Sequence, residues 1–114
     1  MVPRRKSRVP PPACPLMTCM TVIGGKWTPN VLWYLRETPR RFSELKSDLG
    51  TVSAKTLSAR LRKLEHDGVV LRDVKPTSPP TVEYRLTSLG ARLVPAVEAI
   101  VDVGNELKRL KHIR

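Results

Sequence analysis

The stretch from Ser53 to Asp67 holds Lys55, Arg60, Arg62 and Lys63 among apolar residues at helical spacing. Leu57, Leu61 and Leu64 fall at i, i+4 and i+7, which marks a buried face. A step of about 100° per residue then puts Lys55, Ala59 and Arg62 on the opposite side. Thr56, Arg60 and Lys63 flank that side on one edge, and Ser58 lies on the other. Arginine and lysine on such a face can donate to guanine O6 and N7 or to phosphate oxygens. A small Ala59 permits close approach, Ser and Thr hydroxyls bond either way, and a major groove about 12 Å wide admits the whole helix. The acids Glu65 and Asp67 enter only at the far end. A charged helix face taken alone is more often a solvated surface, so the neighbouring elements must decide.

Ser53 is placed to cap this helix and Gly68 to stop it. Upstream, Arg41-Phe42 reads as a short extended link. Ser43 reads as the cap of a short helix with Glu44 in its first turn, Leu45 and Leu49 inward and Gly50 as its end. Gly50-Thr51-Val52 joins the two helices. Downstream, the β-branched runs Val69 to Val74 and Val82 to Leu86 enclose Lys75-Pro76-Thr77-Ser78-Pro79-Pro80-Thr81, an antiparallel hairpin with a protruding loop. Helix, three-residue turn, helix and hairpin is the plan of a winged helix-turn-helix. The base edges fall to Lys55, Thr56, Ala59 and Arg62. The phosphates fall to Ser53, Arg60, Lys63, Arg40 and Arg41, with Ser58 beside them. The wing offers Thr77, Ser78 and Thr81, with Lys75 and Arg85 as its nearest charges.

Outside this unit, Leu16 to Ile23 forms a short apolar helix ending at Gly24-Gly25. Thr28-Pro29 reads as a cap followed by proline at the first helical position, and Val31, Leu32 and Leu35 make the next helix apolar. Thr87 opens a last long helix, which Pro95 should kink. Leu86, Leu93, Ile100 and Leu107 recur every seven residues, and Leu89, Ala96, Val103 and Leu110 repeat with an offset of three. That is an a/d seam suited to a second copy of the chain. Leu93, Ala96, Ile100, Val103, Leu107 and Leu110 are its dimerisation candidates. The fold class is α+β, mainly helical, with helices flanking the winged unit at both ends.

The 114 residues suffice for one domain and one modest core. Lys and Arg number 21 against 10 acids, a net charge of +11 that points to a polyanionic partner. Residues 1 to 12 hold four of the cations, four prolines and no acid, the composition of a mobile basic arm. Residues 13 to 114, the domain proper, still carry +7. No apolar run is long enough to span a membrane. Pro10-Pro11-Pro12 stands where a signal peptide would need its apolar segment, so a cytoplasmic protein is expected.

Other chemistries find little support. No Ser/His/Asp or Cys/His set is identifiable, so no enzyme is expected, and no cofactor. Gly24-Gly25-Lys26-Trp27 lacks the spacing and preceding strand of a phosphate-binding loop, and reads as a tight turn with Trp27 anchored in the core. Cys14 and Cys19, with only His66 and His112 elsewhere, do not make a zinc site. On one helix these two thiols would point about 140° apart, which disfavours an intramolecular bridge.

Several ordered motifs carry a resemblance. Cys14-Pro15, Val22-Ile23-Gly24-Gly25-Lys26-Trp27, Arg41-Phe42-Ser43-Glu44-Leu45, the run from Leu61 to Val69, and Pro79-Pro80-x-Val82-Glu83-Tyr84-x-Leu86-Thr87-x-x-Gly90 resemble the HxlR-type winged helix-turn-helix regulators, relatives of the MarR group. The resemblance spans Cys14 to about Gly104. It implies a bacterial, homodimeric transcriptional regulator bound to double-stranded DNA at a pseudo-palindromic operator. It also implies that Cys14, with Cys19 as a second thiol, is a redox candidate for sensing oxidants or electrophiles. Two departures stand out. Thr81 occupies a position often basic in the family, and Val103 one that is commonly Trp. The alternative reading is a winged-helix module for protein contacts or for architectural nucleic-acid binding.

Overall fold

The computed structural model describes residues 15–113. Cys14 and the basic arm therefore lie outside the described residues. The elements run α1 (Pro15–Ile23), α2 (Thr28–Leu35), β1 (Arg40–Arg41), α3 (Phe42–Leu49), α4 (Ala54–His66), β2 (Val70–Lys75), β3 (Thr81–Leu86) and α5 (Ser88–Ile113). Five helices surround a three-stranded antiparallel sheet of order β1-β3-β2. The register pairs Val70 with Leu86 and Lys75 with Thr81, leaving a five-residue loop at the tip. The extended link expected at Arg41-Phe42 falls one residue earlier: Arg40–Arg41 is a short strand, with Arg40 opposite Tyr84 and Arg41 opposite Glu83, and Phe42 already begins α3.

The core is aliphatic. Val31, Leu32 and Leu35 of α2 meet Leu45 and Leu49 of α3, Leu57, Leu61 and Leu64 of α4, and Val69 and Val70 at the start of the hairpin. From α5, Val97 joins this apolar core. Each fully buried leucine contributes about 1.5–3 kcal/mol. The leucine spacing on α4 thus sets which face of that helix is turned away from solvent.

Two helix starts and one strand start differ from the sequence reading. Trp27, in the left-handed region at φ 75°, precedes α2, and Thr28 is its first residue and buried. The cap of α3 is Arg41, whose backbone N–H donates to the Glu44 carboxylate at 2.7 Å; Ser43 already lies inside the helix. Glu44 thereby satisfies the backbone donor of the capping residue, and with the helix starting at Phe42, Ser43 falls in its first turn instead of at its cap. The third difference is at β2, which begins at Val70, because Val69 is spent on the corner below. Pro95 lies inside α5, which is helical on both sides of it.

The corner joining the hairpin to α5 explains the Leu86-Thr87-x-x-Gly90 motif. Thr87 donates its backbone N–H to the Val69 carbonyl and its hydroxyl to the Gly68 carbonyl, while its Oγ1 accepts from Gly90 N–H. Gly90 sits so close that an added Cβ would lie 2.1 Å from the Val69 oxygen. Thr87 is therefore both the cap of α5 and the bolt between α5 and the end of α4.

Candidate nucleic-acid interface

Ser53 Oγ accepts the Thr56 backbone N–H at 3.0 Å and so begins α4 as its spacing predicts. With Leu57, Leu61 and Leu64 buried, Lys55, Arg62 and Lys63 are exposed and Thr56, Ser58, Ala59 and Arg60 half-buried. The three-residue turn sets α3 against α4, and the hairpin rises beside them. The sequence-derived recognition residues thus share one helix and one side of it.

Ion pairing divides the basic residues into two groups. Lys63 lies 2.7 Å from Asp67, Arg40 3.4 Å from Asp48, and Lys75 2.9 Å from Asp73 with Glu83 further off at 3.9 Å. Arg36 is shared between Glu37 and Glu98 and lies over the Trp33 ring. Among the described residues, the side chains of Lys55, Arg60 and Arg62 have no carboxylate within 4.0 Å, and neither do those of Arg41 and Arg85. The recognition face keeps its cations unneutralised, apart from Lys63 near the helix end.

Two phosphate candidates are also structural. Arg40 donates from Nε to the Tyr34 carbonyl at 3.2 Å and faces Asp48, so it ties β1 to α2 and α3. Arg60 donates from Nε to the Lys26 carbonyl at 3.0 Å, across 34 positions of sequence. That tie to the α1–α2 turn was not visible from spacing; the only signal was the Gly24-Gly25-Lys26-Trp27 run itself.

The wing is internally bonded. Thr77 donates its hydroxyl to the Pro79 carbonyl at 2.7 Å, so Thr81 supplies the proton for the 2.9 Å contact between the two threonine hydroxyls. Ser78 is exposed at the tip, and Arg85 is exposed on β3. The Lys75 hydrogen bond, with the charges of Lys75 and Arg85, holds the Asp73 carboxyl below the usual aspartate range against a smaller opposing effect of desolvation.

Outside this face, α5 exposes Ile100 (52%), Val103 (58%), Leu107 (53%) and Leu110 (48%), and Leu89 and Ala96 are exposed as well. Leu93 instead leans half-buried on the core. A groove of about 600 Å³ runs between α2 and α5, with Trp33, Tyr34 and Ile100 on its walls. On α1, Leu16, Met17 and Met20 are exposed, and so is Cys19. No helix among the described residues is long and apolar enough to cross a membrane.

The family model described as HxlR-like helix-turn-helix matches residues 22–112. An uncharacterised HTH-type transcriptional regulator of Halalkalibacterium halodurans is 44% identical over 86 residues, which cover 75% of this chain and 76% of that protein. The redox regulator HypR in its reduced form superposes with a TM-score of 0.82 at 32% identity, covering 89% of this chain and 100% of that one. Its oxidised form gives 0.78 at 35% identity, covering 82% and 96%. Helix-turn-helix, wing and matched sequence agree: the chain belongs to the HxlR-like helix-turn-helix family and is a transcriptional regulator of that type.

Proposed function

We propose that the protein works as a homodimer that binds a pseudo-palindromic DNA operator sequence-specifically, with α4 of each protomer in the major groove. The observation that carries this is the outward face of α4, where Lys55, Arg60 and Arg62 stand without acidic partners among the described residues. A module built for protein contacts would show apolar residues there. Lys55, Thr56, Ala59 and Arg62 read base edges. Ser53, Ser58, Arg60 and Arg41 hold phosphates, and Lys63, Arg40 and Lys75 can add to this only in competition with their carboxylates. Thr77, Ser78 and Arg85 approach the flanking backbone. The arm of residues 1 to 12 adds phosphate contacts without adding fold.

A base-reading arginine contributes about 1–3 kcal/mol of discrimination, whereas a phosphate contact mainly changes the salt dependence. Binding isotherms on a selected operator and a scrambled site test the reading. Arg62→Ala is expected to bring the two affinities together, and Lys63→Ala to weaken both alike. Unchanged binding in both variants would remove α4 as the reading helix.

The exposed α5 seam supports the dimer. An uncovered row of Ile100, Val103, Leu107 and Leu110 is a large apolar patch for a monomer. A two-fold interface along it would set two α4 helices about one DNA turn apart. A redox response through Cys14 has separate support in the likeness to HypR, solved in reduced and oxidised forms. DNA affinity of wild type, Cys14→Ser and Cys19→Ser before and after diamide tests it. Loss of the response only in Cys14→Ser assigns the sensor, and an equal response in that variant removes it.

A further inference from the structure

The Gly25–Thr28 turn closes with Thr28 N–H on the Gly25 carbonyl at 3.1 Å. Its third residue, Trp27, has φ 75° and ψ −14°, the values of the third position of a type II turn. That position normally takes glycine, and a left-handed residue with a side chain is held only where its surroundings over-determine it. Here the indole packs against the core, and Trp27 is the one non-glycine residue with positive φ among those described. Type I and type II turns differ by a flip of the central peptide, which in this turn carries the Lys26 carbonyl. The type II form is thus the one in which that carbonyl faces Arg60, whose Nε it accepts at 3.0 Å.

The consequence falls on Arg60. With Nε anchored, the guanidinium plane is fixed, and its two Nη groups remain to donate as a fork, the geometry that matches a phosphate. The same turn presents the exposed Lys26 ammonium, 5.6 Å from the Trp27 ring. Among the described residues neither Lys26 nor Arg60 has a carboxylate within 4.0 Å. Two basic residues from distant parts of the chain are therefore joined by one hydrogen bond beside the outward face of α4, and neither has an acidic partner among the described residues.

We infer that Lys26 and Arg60 form a DNA phosphate clamp that extends the interface beyond the helix-turn-helix to the α1–α2 turn. The inference rests on the DNA-binding reading of α4. Lys26 is a direct backbone contact, Arg60 an oriented one, and Trp27 positions both by fixing the turn. The ligand is the sugar–phosphate backbone and not a base, so the clamp adds affinity without sequence preference.

Salt titrations of binding to the selected operator and a scrambled duplex, with the full chain, provide the test. Each phosphate contact steepens log K against log salt by about 0.9. Lys26→Gln and Arg60→Gln are each expected to flatten the slope by about that amount per protomer and to weaken both duplexes by the same factor. Arg60→Lys should keep the slope and still lose affinity, because the charge remains while the anchored fork is gone. Trp27→Gly, which accepts the same backbone, should keep more of the slope than Trp27→Ala. Melting temperatures accompany each variant, and Lys26→Gln, an exposed side chain in an unaltered turn, carries the test should an Arg60 variant unfold. A wild-type slope in Lys26→Gln, with Arg62→Ala still relaxing sequence preference, overturns the clamp and leaves the α4 reading standing. A wild-type response in Arg62→Ala as well overturns both.

Discussion

Arg40 and Asp48 stand 3.4 Å apart, and the same guanidinium donates to the Tyr34 carbonyl, so one side chain fastens β1 to both α2 and α3. The Asp48 Oδ2 atom is buried and has no hydrogen-bond partner among the described residues, which leaves Arg40 as its compensation. Arg40→Ala should lower stability by about 1–3 kcal/mol, the penalty of leaving a buried acceptor unpaired. Adding Asp48→Ala should recover part of that loss, since the orphaned oxygen is then gone. Urea denaturation of the two single variants and the double variant measures the coupling. Equal stabilities with an altered salt slope of DNA binding would make Arg40 a phosphate contact first and a strut second.

Gly90→Ala is expected to be among the more damaging single-methyl changes. The new Cβ would meet the Val69 oxygen at 2.1 Å and the Val69 carbonyl carbon at 3.0 Å, and both are backbone atoms that cannot swing aside. The corner must open, at about 1–3 kcal/mol or more, even though alanine is the better helix former. Thermal unfolding reads this directly, and a raised melting temperature would show that the corner is looser than its hydrogen bonds imply.

Ile100→Asp should separate the protomers without unfolding them. Ile100 is half exposed and lies away from the Leu57–Leu61–Leu64 core, so the fold can tolerate a charge there. In a dimer seam the same charge is buried and unpaired, a penalty of roughly 3–5 kcal/mol. Sedimentation at micromolar concentration should show a dimer for wild type and a monomer for the variant. A monomeric wild type would remove the seam as an interface.

The wing should show a shifted acid titration. Lys75 holds Asp73 ionised to lower pH than an ordinary aspartate. The contribution to folding is therefore present above the usual aspartate range and fades as pH falls through the lowered value. NMR titration of the Asp73 carboxyl carbon should place its midpoint below that of a free aspartate, and Lys75→Met should raise it. An unmoved midpoint in Lys75→Met would mean that the pair is not formed in solution.

Much of this molecule is legible without a structure, for a local reason. Ser53, the leucines of α4 and the glycines at 50 and 68 act within a turn or two of themselves, so spacing alone predicts α4 and its outward residues. The same holds for the hairpin, whose β-branched runs and proline-rich gap predict two strands within one residue of the observed Val70–Lys75 and Thr81–Leu86. The errors at Thr28 and Ser43 arise where a better partner sits nearby. Glu44 accepts the Arg41 backbone N–H, which starts α3 ahead of Ser43, and the left-handed Trp27 moves the start of α2.

The sequence by itself determined the helix-turn-helix order, the cationic face of α4 and the apolar repeat along α5, because composition and periodicity encode which side of an element turns inward. Only the tertiary structure decided which cations remain free. Lys63, Arg40 and Lys75 meet carboxylates, whereas Lys55, Arg60 and Arg62 meet none among the described residues. It also decided that Arg60 reaches back to Lys26 and that Leu93 turns to the core while Ile100 and Leu107 do not. Pairing of charges and covering of surfaces depend on distances between segments far apart in the chain, and those distances exist only once the core has closed.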